Sequence, residues 1–322
     1  MKQLFKYMSA PWDLFANGYI RLTQISALND PFEALFCRSG LDTLSKEFDD
    51  NTVLGNLSFS DYIDRDLNKV GVISLSENKE NFLMWAHYAN EHKGLVAGIS
   101  YFPDVDCIPL FEHLLPEHSL FSPILNENYS LFDGNPKPVL YRKSPRYRND
   151  KFDYDYSNIS AQSGGRCLYE VCMQKSDEWI YEQEHRIVLR LEQADKVICP
   201  QKIMDKVHNL DKYPYLDKLI DSSILSLNTM TNENEYSIYL SNIEDDIERI
   251  IYAKFLSRLS KHREVIYLMK LSAESINNCI FGLKSDNRKK DSQFKYAASG
   301  GSLDFWQTKK CQDHYGLEFE QT

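Results

Sequence analysis

No C-x-x-C pair occurs among the seven cysteines of this 322-residue chain. They are Cys37, Cys107, Cys167, Cys172, Cys199, Cys279 and Cys311, an odd and scattered set that suits buried thiols in a reducing compartment. A disulfide framework and a zinc knuckle are both argued against. No apolar run approaches the roughly 18 residues of a membrane span, and the opening MKQLFKYMSAPWDLF lacks the apolar core of a signal peptide. The expected setting is the cytoplasm, away from membranes. Excess positive charge is missing too: a formal net charge of −10 works against non-specific attachment to a nucleic-acid backbone. Absence of G-x-x-x-x-G-K-[ST], G-x-S-x-G and H-E-x-x-H removes the usual signals for P-loop enzymes, α/β-hydrolases and zinc peptidases. His87 with His92, and His113 with His118, are five residues apart. That step turns about 140° around a helix and does not align two ligands, so no metal is expected.

What is present is a hydrophobic fraction of 43% and an aromatic fraction of 13%, rich enough to exclude global disorder. The length fits one α+β domain over residues 1–322, with mixed or antiparallel central sheets and flanking helices. Strands are expected at 3–7, 18–24, 71–76, 95–100, in EHRIVLRL, at 264–270 and at 276–282, because apolar, aromatic and β-branched residues concentrate or alternate there. Helices are expected at 11–17, from Glu77 and Glu80 through FLMWAHYA towards Gly94, and at 161–175. The proline-rich stretch 103–138 reads as a surface excursion. Residues 201–262 read as a helical insertion, with Ile243, Ile247, Ile250, Ile251, Phe255 and Leu259 marking its apolar stripe.

Three segments concentrate chemistry. In YRKSPRYR at 141–148, Arg142, Lys143, Arg146 and Arg148 are placed to hold phosphates while Tyr141 and Tyr147 stack a base, which makes this the local route to any nucleic acid. The plainer reading is a solvated strand end. In WIYEQEHR at 179–186, an extended chain sets Glu182, Glu184 and Arg186 on one face, where the guanidinium keeps a carboxylate ionised beside the Trp179 and Tyr181 rings. A salt-bridged strand is the alternative there. In SLSENKENFLMWAHYA at 74–89, core packing accounts for most apolar positions, but Trp85, His87 and Tyr88 spread around the helix and set at least one ring off the core stripe.

FKYMS at 5–9, LNDPFE at 28–33, SLSE with LMWAHYA and HKG, LYRK, and WIYEQEHRIV together resemble domain of unknown function family 2971. The resemblance covers roughly residues 3 to 190 and resumes near 264 to 282. A remoter similarity, to ADP-ribosyltransferase-like folds, implies NAD as the cofactor and ADP-ribosyl transfer or NAD cleavage as the reaction. It implies Glu184 as the catalytic carboxylate and Glu182 as the residue orienting the acceptor. Lys6, Tyr7, Ser74, Ser76, Trp85, His87, Tyr88 and Arg186 would then bind the cofactor, and Asn29, Asp30, Arg142 and Trp179 the substrate. Lys6-Tyr7 departs from the early His or Arg of those enzymes. Two competing readings are a non-catalytic interaction or sensor module with an unknown protein partner, and a metal-dependent nuclease.

Overall fold

The computed structural model describes residues 2–9, 12–47, 58–102, 109–115, 131–148, 163–211, 224–228, 234–285 and 291–322. The alternating runs at the start form β1 (Lys2–Met8) and β2 (Tyr19–Gln24), joined by α1 (Trp12–Asn17). Gly18 makes the reversal at φ 80°, a left-handed conformation that glycine adopts without strain. Helices α2 (Arg38–Glu47) and α3 (Phe59–Asp66) precede β3 (Val70–Ser76), and α4 (Phe82–Tyr88) precedes β4 (Leu95–Tyr101). Helix α4 starts later than the acidic pair suggests. Asn81 is its N-cap, accepting from the N–H groups of Leu83 at 2.9 Å and Met84 at 3.2 Å, while Ser76 and Asn78 close a turn upstream.

The chain continues through β5 (Lys137–Pro138), β6 (Leu140–Arg142), α5 (Ser163–Cys172), β7 (Gln174–Ser176), a 3₁₀ turn over Asp177–Glu182, β8 (Glu184–Arg190) and β9 (Lys196–Pro200). Then come α6 (Gln201–Asp211), β10 (Leu225–Asn228), β11 (Glu235–Tyr239), α7 (Asp246–Ser257), β12 (Ile266–Lys270), β13 (Ile276–Phe281), α8 (Lys295–Ser299), β14 (Asp304–Lys310) and β15 (Leu317–Gln321). The fold class is α+β, built on a mixed, mostly antiparallel sheet.

Two expectations change. Residues 201–262 are not a purely helical layer: β11 pairs with β9 and β10 with β11, so this segment extends the sheet. The apolar stripe holds in part: Ile243, Phe255 and Leu259 are buried, whereas Ile247 and Ile251 are exposed and Tyr252, Ala253 and Leu256 face inward in their place. Residues 212–223 and 229–233 of that segment, most of 103–138, and 161–162 of the expected helix lie outside the described residues.

The sheet forks at β3. Along one edge β3 pairs with β8 over its whole length, from Val70 with Arg190 to Ser76 with Glu184. The other edge is shared: β2 takes its start, with Gln24 opposite Gly71 and Thr23 opposite Val72, and β1 takes its end, with Phe5 opposite Ser76. From there one branch runs β2, β12, β9, β11, β10, and the other β1, β4, β13, β14, β15. Neither strand pairs with Ile73–Leu75 on the forked edge, so its backbone groups need other partners. Lys6 Nζ donates to the Ser74 carbonyl at 2.9 Å across this gap.

Candidate active site

A cavity of about 270 Å³ opens in the fork. Strands β1, β2 and β3, the turn at 28–33, α4 and the segment from Lys175 to Glu184 all contribute walls. Tyr88 and Trp179 supply aromatic surface, and Leu28, Leu75 and Met84 apolar surface, beside several ionisable groups. A mixed wall of this kind is typical of small-molecule sites.

The acidic wall is a buried ion cluster. Gln183 sits in the left-handed region, at φ 46°, and ends the 3₁₀ turn so that β8 begins at Glu184. Glu182 and Glu184 therefore face the same lysine through a turn and a bend, not through strand alternation. Lys175 Nζ donates to Glu182 at 2.7 Å and to Glu184 at 3.3 Å, and lies 3.6 Å from Glu33. Arg186, fully buried, donates to both oxygens of Glu184 at 2.8 and 3.1 Å, to Glu33 at 2.7 Å and to the Cys172 carbonyl at 2.7 Å. Burial alone raises a carboxyl pKa, yet Arg186 and Lys175 override it and hold Glu184 at about 2. Tyr88 donates from its hydroxyl to Glu182 at 2.6 Å; burial and that carboxylate both push the phenol up. Three carboxylates against two cations leave one formal negative charge in the cluster.

The turn LNDPFE is set by its own side chain: Asp30 Oδ1 accepts from the Phe32 N–H at 2.9 Å, and Pro31 fixes the backbone between them. This brings Asn29, Asp30 and Glu33 to the cavity. From β1 and β2 come two cations, Lys6 and Arg21. Burial lowers the Lys6 ammonium to about 8, with Glu184 opposing and Arg21 reinforcing the shift. Arg21 is lowered by burial as well.

Of the expected site residues, Lys6, Tyr7, Asn29, Asp30, Ser74, Ser76, Tyr88, Trp179, Glu182 and Glu184 line this one cavity. Besides Tyr88, whose hydroxyl is held by Glu182, Tyr7 donates to the Asn78 carbonyl at 2.6 Å and Ser76 to the Glu182 carbonyl at 2.7 Å. Four expected residues do not line it. Trp85 is fully buried in a cluster with Phe5, Tyr7 and Ile280 and donates to the Lys79 carbonyl at 2.8 Å, so it is core and not a stacking platform. His87 points to solvent, because α4 turns its Met84 and Tyr88 side towards the fork. Arg186 lies behind Glu184 and meets protein groups only. Arg142 ends β6 opposite Ser176 of β7, one position past the Lys175 that lines the cavity, and does not line it itself.

The basic segment 141–148 is likewise turned to structural use. Tyr141 accepts the Glu184 N–H at 2.8 Å, Tyr147 is buried and donates to Glu170 at 2.7 Å, and Arg146 bridges the same Glu170 at 3.0 Å. The Tyr147 ring is therefore closed to a base, while the Tyr141 ring is half-buried. Sequence reasoning missed Arg21, Glu33 and Lys175 as site residues. Arg21 had a signal, a lone cation inside the apolar run GYIRLTQ, and Glu33 stood within the quoted LNDPFE motif.

Residues 84–187 match the model of a family described as a protein of unknown function, DUF2971. The matched stretch carries Tyr88, Lys175, Trp179, Glu182 and Glu184, whereas Lys6, Arg21 and the 28–33 turn precede it. No curated protein and no solved structure matches the chain. Among the described residues no helix is long and apolar enough to cross a membrane.

Proposed function

We propose that the fork cavity binds NAD and cleaves the bond between nicotinamide and its ribose, passing the ADP-ribosyl group to water or another acceptor. The observation that carries this reading is convergence: Lys6, Tyr88 and Glu184, far apart along the chain, wall the same cavity, with acidic groups facing aromatic rings. In the reaction the C1′–N bond breaks and its electron pair neutralises the pyridinium nitrogen. Positive charge then builds on the ribose, an acceptor oxygen forms a new bond to C1′, and the acceptor proton is lost to a carboxylate or water.

A developing cation is stabilised by a fixed anion in a water-poor site. The net negative charge of the Glu33, Glu182, Glu184, Lys175 and Arg186 cluster supplies one. In this reading Glu184 stands nearest the reacting carbon, Glu182 orients the acceptor, Tyr88 and Trp179 flank the departing ring, and Lys6 meets phosphate. The cavity of about 270 Å³ is just below the roughly 300–1,000 Å³ of drug-sized sites, and in this reading it takes the nicotinamide riboside part and leaves the adenosine outside.

Titration calorimetry with NAD and chromatographic detection of nicotinamide test the reading. Binding and nicotinamide release by the folded protein are expected, with release falling about 100-fold or more in Glu182→Gln and Glu184→Gln. A folded wild-type protein that gives neither heat nor nicotinamide at millimolar NAD overturns it.

A further inference from the structure

Buried polar atoms in folded proteins nearly always have a partner, and those that lack one ask for an explanation. Among the described residues three such atoms belong to residues lining the fork cavity: Arg21 Nε, Asp30 Oδ2 and Glu33 Oε2. The remaining unpartnered side-chain atoms belong to residues that do not line it. Each of the two carboxylates has one oxygen committed. Asp30, 8% exposed, spends Oδ1 on the Phe32 N–H, and Glu33, with a side chain 5% exposed, spends Oε1 on Arg186. The second oxygen of each is left over. A carboxylate oxygen only accepts, so what is missing is a pair of donors.

The guanidinium poses the opposite demand. Nε of Arg21 only donates, and among the described residues no carboxylate forms an ion pair with this side chain. Lys6, on the neighbouring branch of the fork, is close enough for the Arg21 charge to add to the lowering of its ammonium, and it has the Ser74 carbonyl as its hydrogen-bond acceptor. Glu184 favours the Lys6 ammonium, but among the described residues Arg21 is left without an ion-pair partner, which is costly in a partly desolvated site. An anion between them relieves the repulsion.

We infer that the 28–33 turn and the two diverging strands form a sugar-phosphate subsite. Asp30 Oδ2 and Glu33 Oε2 accept from neighbouring hydroxyls of a pentose, and Arg21 with Lys6 binds the phosphate it carries. The ligand class is a phosphorylated sugar with a free vicinal diol. This deepens the NAD reading, on which it rests for the identity of the sugar: the ribose attached to nicotinamide and its adjoining phosphate occupy this subsite. The carboxylates and the guanidinium bind the sugar phosphate directly.

The test is titration calorimetry with ribose 5-phosphate, ribose, inorganic phosphate and 2-deoxyribose 5-phosphate, on wild type and on Asp30→Asn, Glu33→Gln and Arg21→Met. The first two substitutions can keep the committed oxygen while replacing the free one by a donor, so the turn and the Arg186 contact survive. Ribose 5-phosphate is expected to bind at least tenfold more tightly than ribose, phosphate or the deoxy sugar, and each variant to weaken it at least tenfold. The ligand-free melting temperatures of Asp30→Asn and Arg21→Met are expected to be unchanged or raised, a result that purely structural roles would not give. No heat with ribose 5-phosphate, or equal binding by wild type and all three variants, overturns the subsite. Nicotinamide release separates the two levels. Ribose 5-phosphate binding without NAD consumption sinks the reaction and keeps the subsite; NAD consumption with an unchanged KM in Asp30→Asn and Glu33→Gln keeps the reaction and sinks the subsite.

Discussion

Two groups of buried charge in this protein differ in what surrounds them. Asp195, fully buried, accepts from Arg249 at 3.0 Å and from the Lys270 N–H at 2.7 Å, while its own carbonyl takes the Ser241 N–H at 3.1 Å. It ties α7 and β12 to the turn after β8, and it does not line the fork cavity. The Glu33, Glu182 and Glu184 group uses the same chemistry, but it walls that cavity and leaves Glu33 Oε2 without a donor. Burial raises both Asp195 and Glu184. In Asp195 it wins, and the carboxyl sits at about 6; in Glu184 two cations win, and it sits at about 2. A buried ion pair alone therefore says little about function. Leftover valence beside open volume says more.

Removing the central cation of each group breaks the comparison most sharply. Arg186→Met strips two carboxylates, Glu33 and Glu184, of their main partner and is expected to cost about 3–5 kcal/mol in urea unfolding. Arg249→Met is expected to cost less, because Asp195 takes up a proton more readily. Equal losses would show that the two groups are energetically alike.

Acidity separates them by sign. Glu184 goes from 4.5 unfolded to about 2 folded, so its contribution is present above pH 4.5 and is lost as pH falls towards 2. Asp195 goes from 3.8 to about 6, so the folded state binds the extra proton and stability declines as pH rises through that window. Urea midpoints against pH for wild type and Asp195→Asn check this. The variant is expected to lose the decline between 3.8 and 6 and to keep the loss at lower pH.

Tyr88→Phe removes the 2.6 Å bond to Glu182. A loss of about 1.5–3 kcal/mol is expected for a hydrogen bond to a charged group, together with slower nicotinamide release. The smallest effect separates cap from site. Asn81→Ala and Ser58→Ala each delete a helix N-cap and should cost about 1 kcal/mol in thermal unfolding. Only the first, whose amide also donates to the Tyr181 carbonyl at 2.8 Å, is expected to alter NAD kinetics.

Several elements were readable from local pattern alone. Strands β1, β2, β3, β4 and β8 announce themselves through alternation or dense apolar runs, and all become central strands. The stretch 201–262 misled because its apolar spacing resembles a helix throughout, while LSLN and EYSIY become strands only by pairing outward from β9. Glu182, Glu184 and Tyr88 stood out by residue type. Lys175 did not, and Arg21 stood out only as a lone cation in an apolar run, since a single cation has no assigned role until its surroundings in the fold are known.

Composition and periodicity by themselves determined an α+β chain with an acidic surface, no disulfide spacing, and strands and helices mostly where they occur, because these depend on neighbours a few residues away. Only the tertiary structure decided that β1 and β2 share one edge of β3 and part company over Ile73–Leu75. Long-range register controls which backbone edges stay unpaired, and it is that unpaired edge that opens the cavity and turns scattered charges into one site.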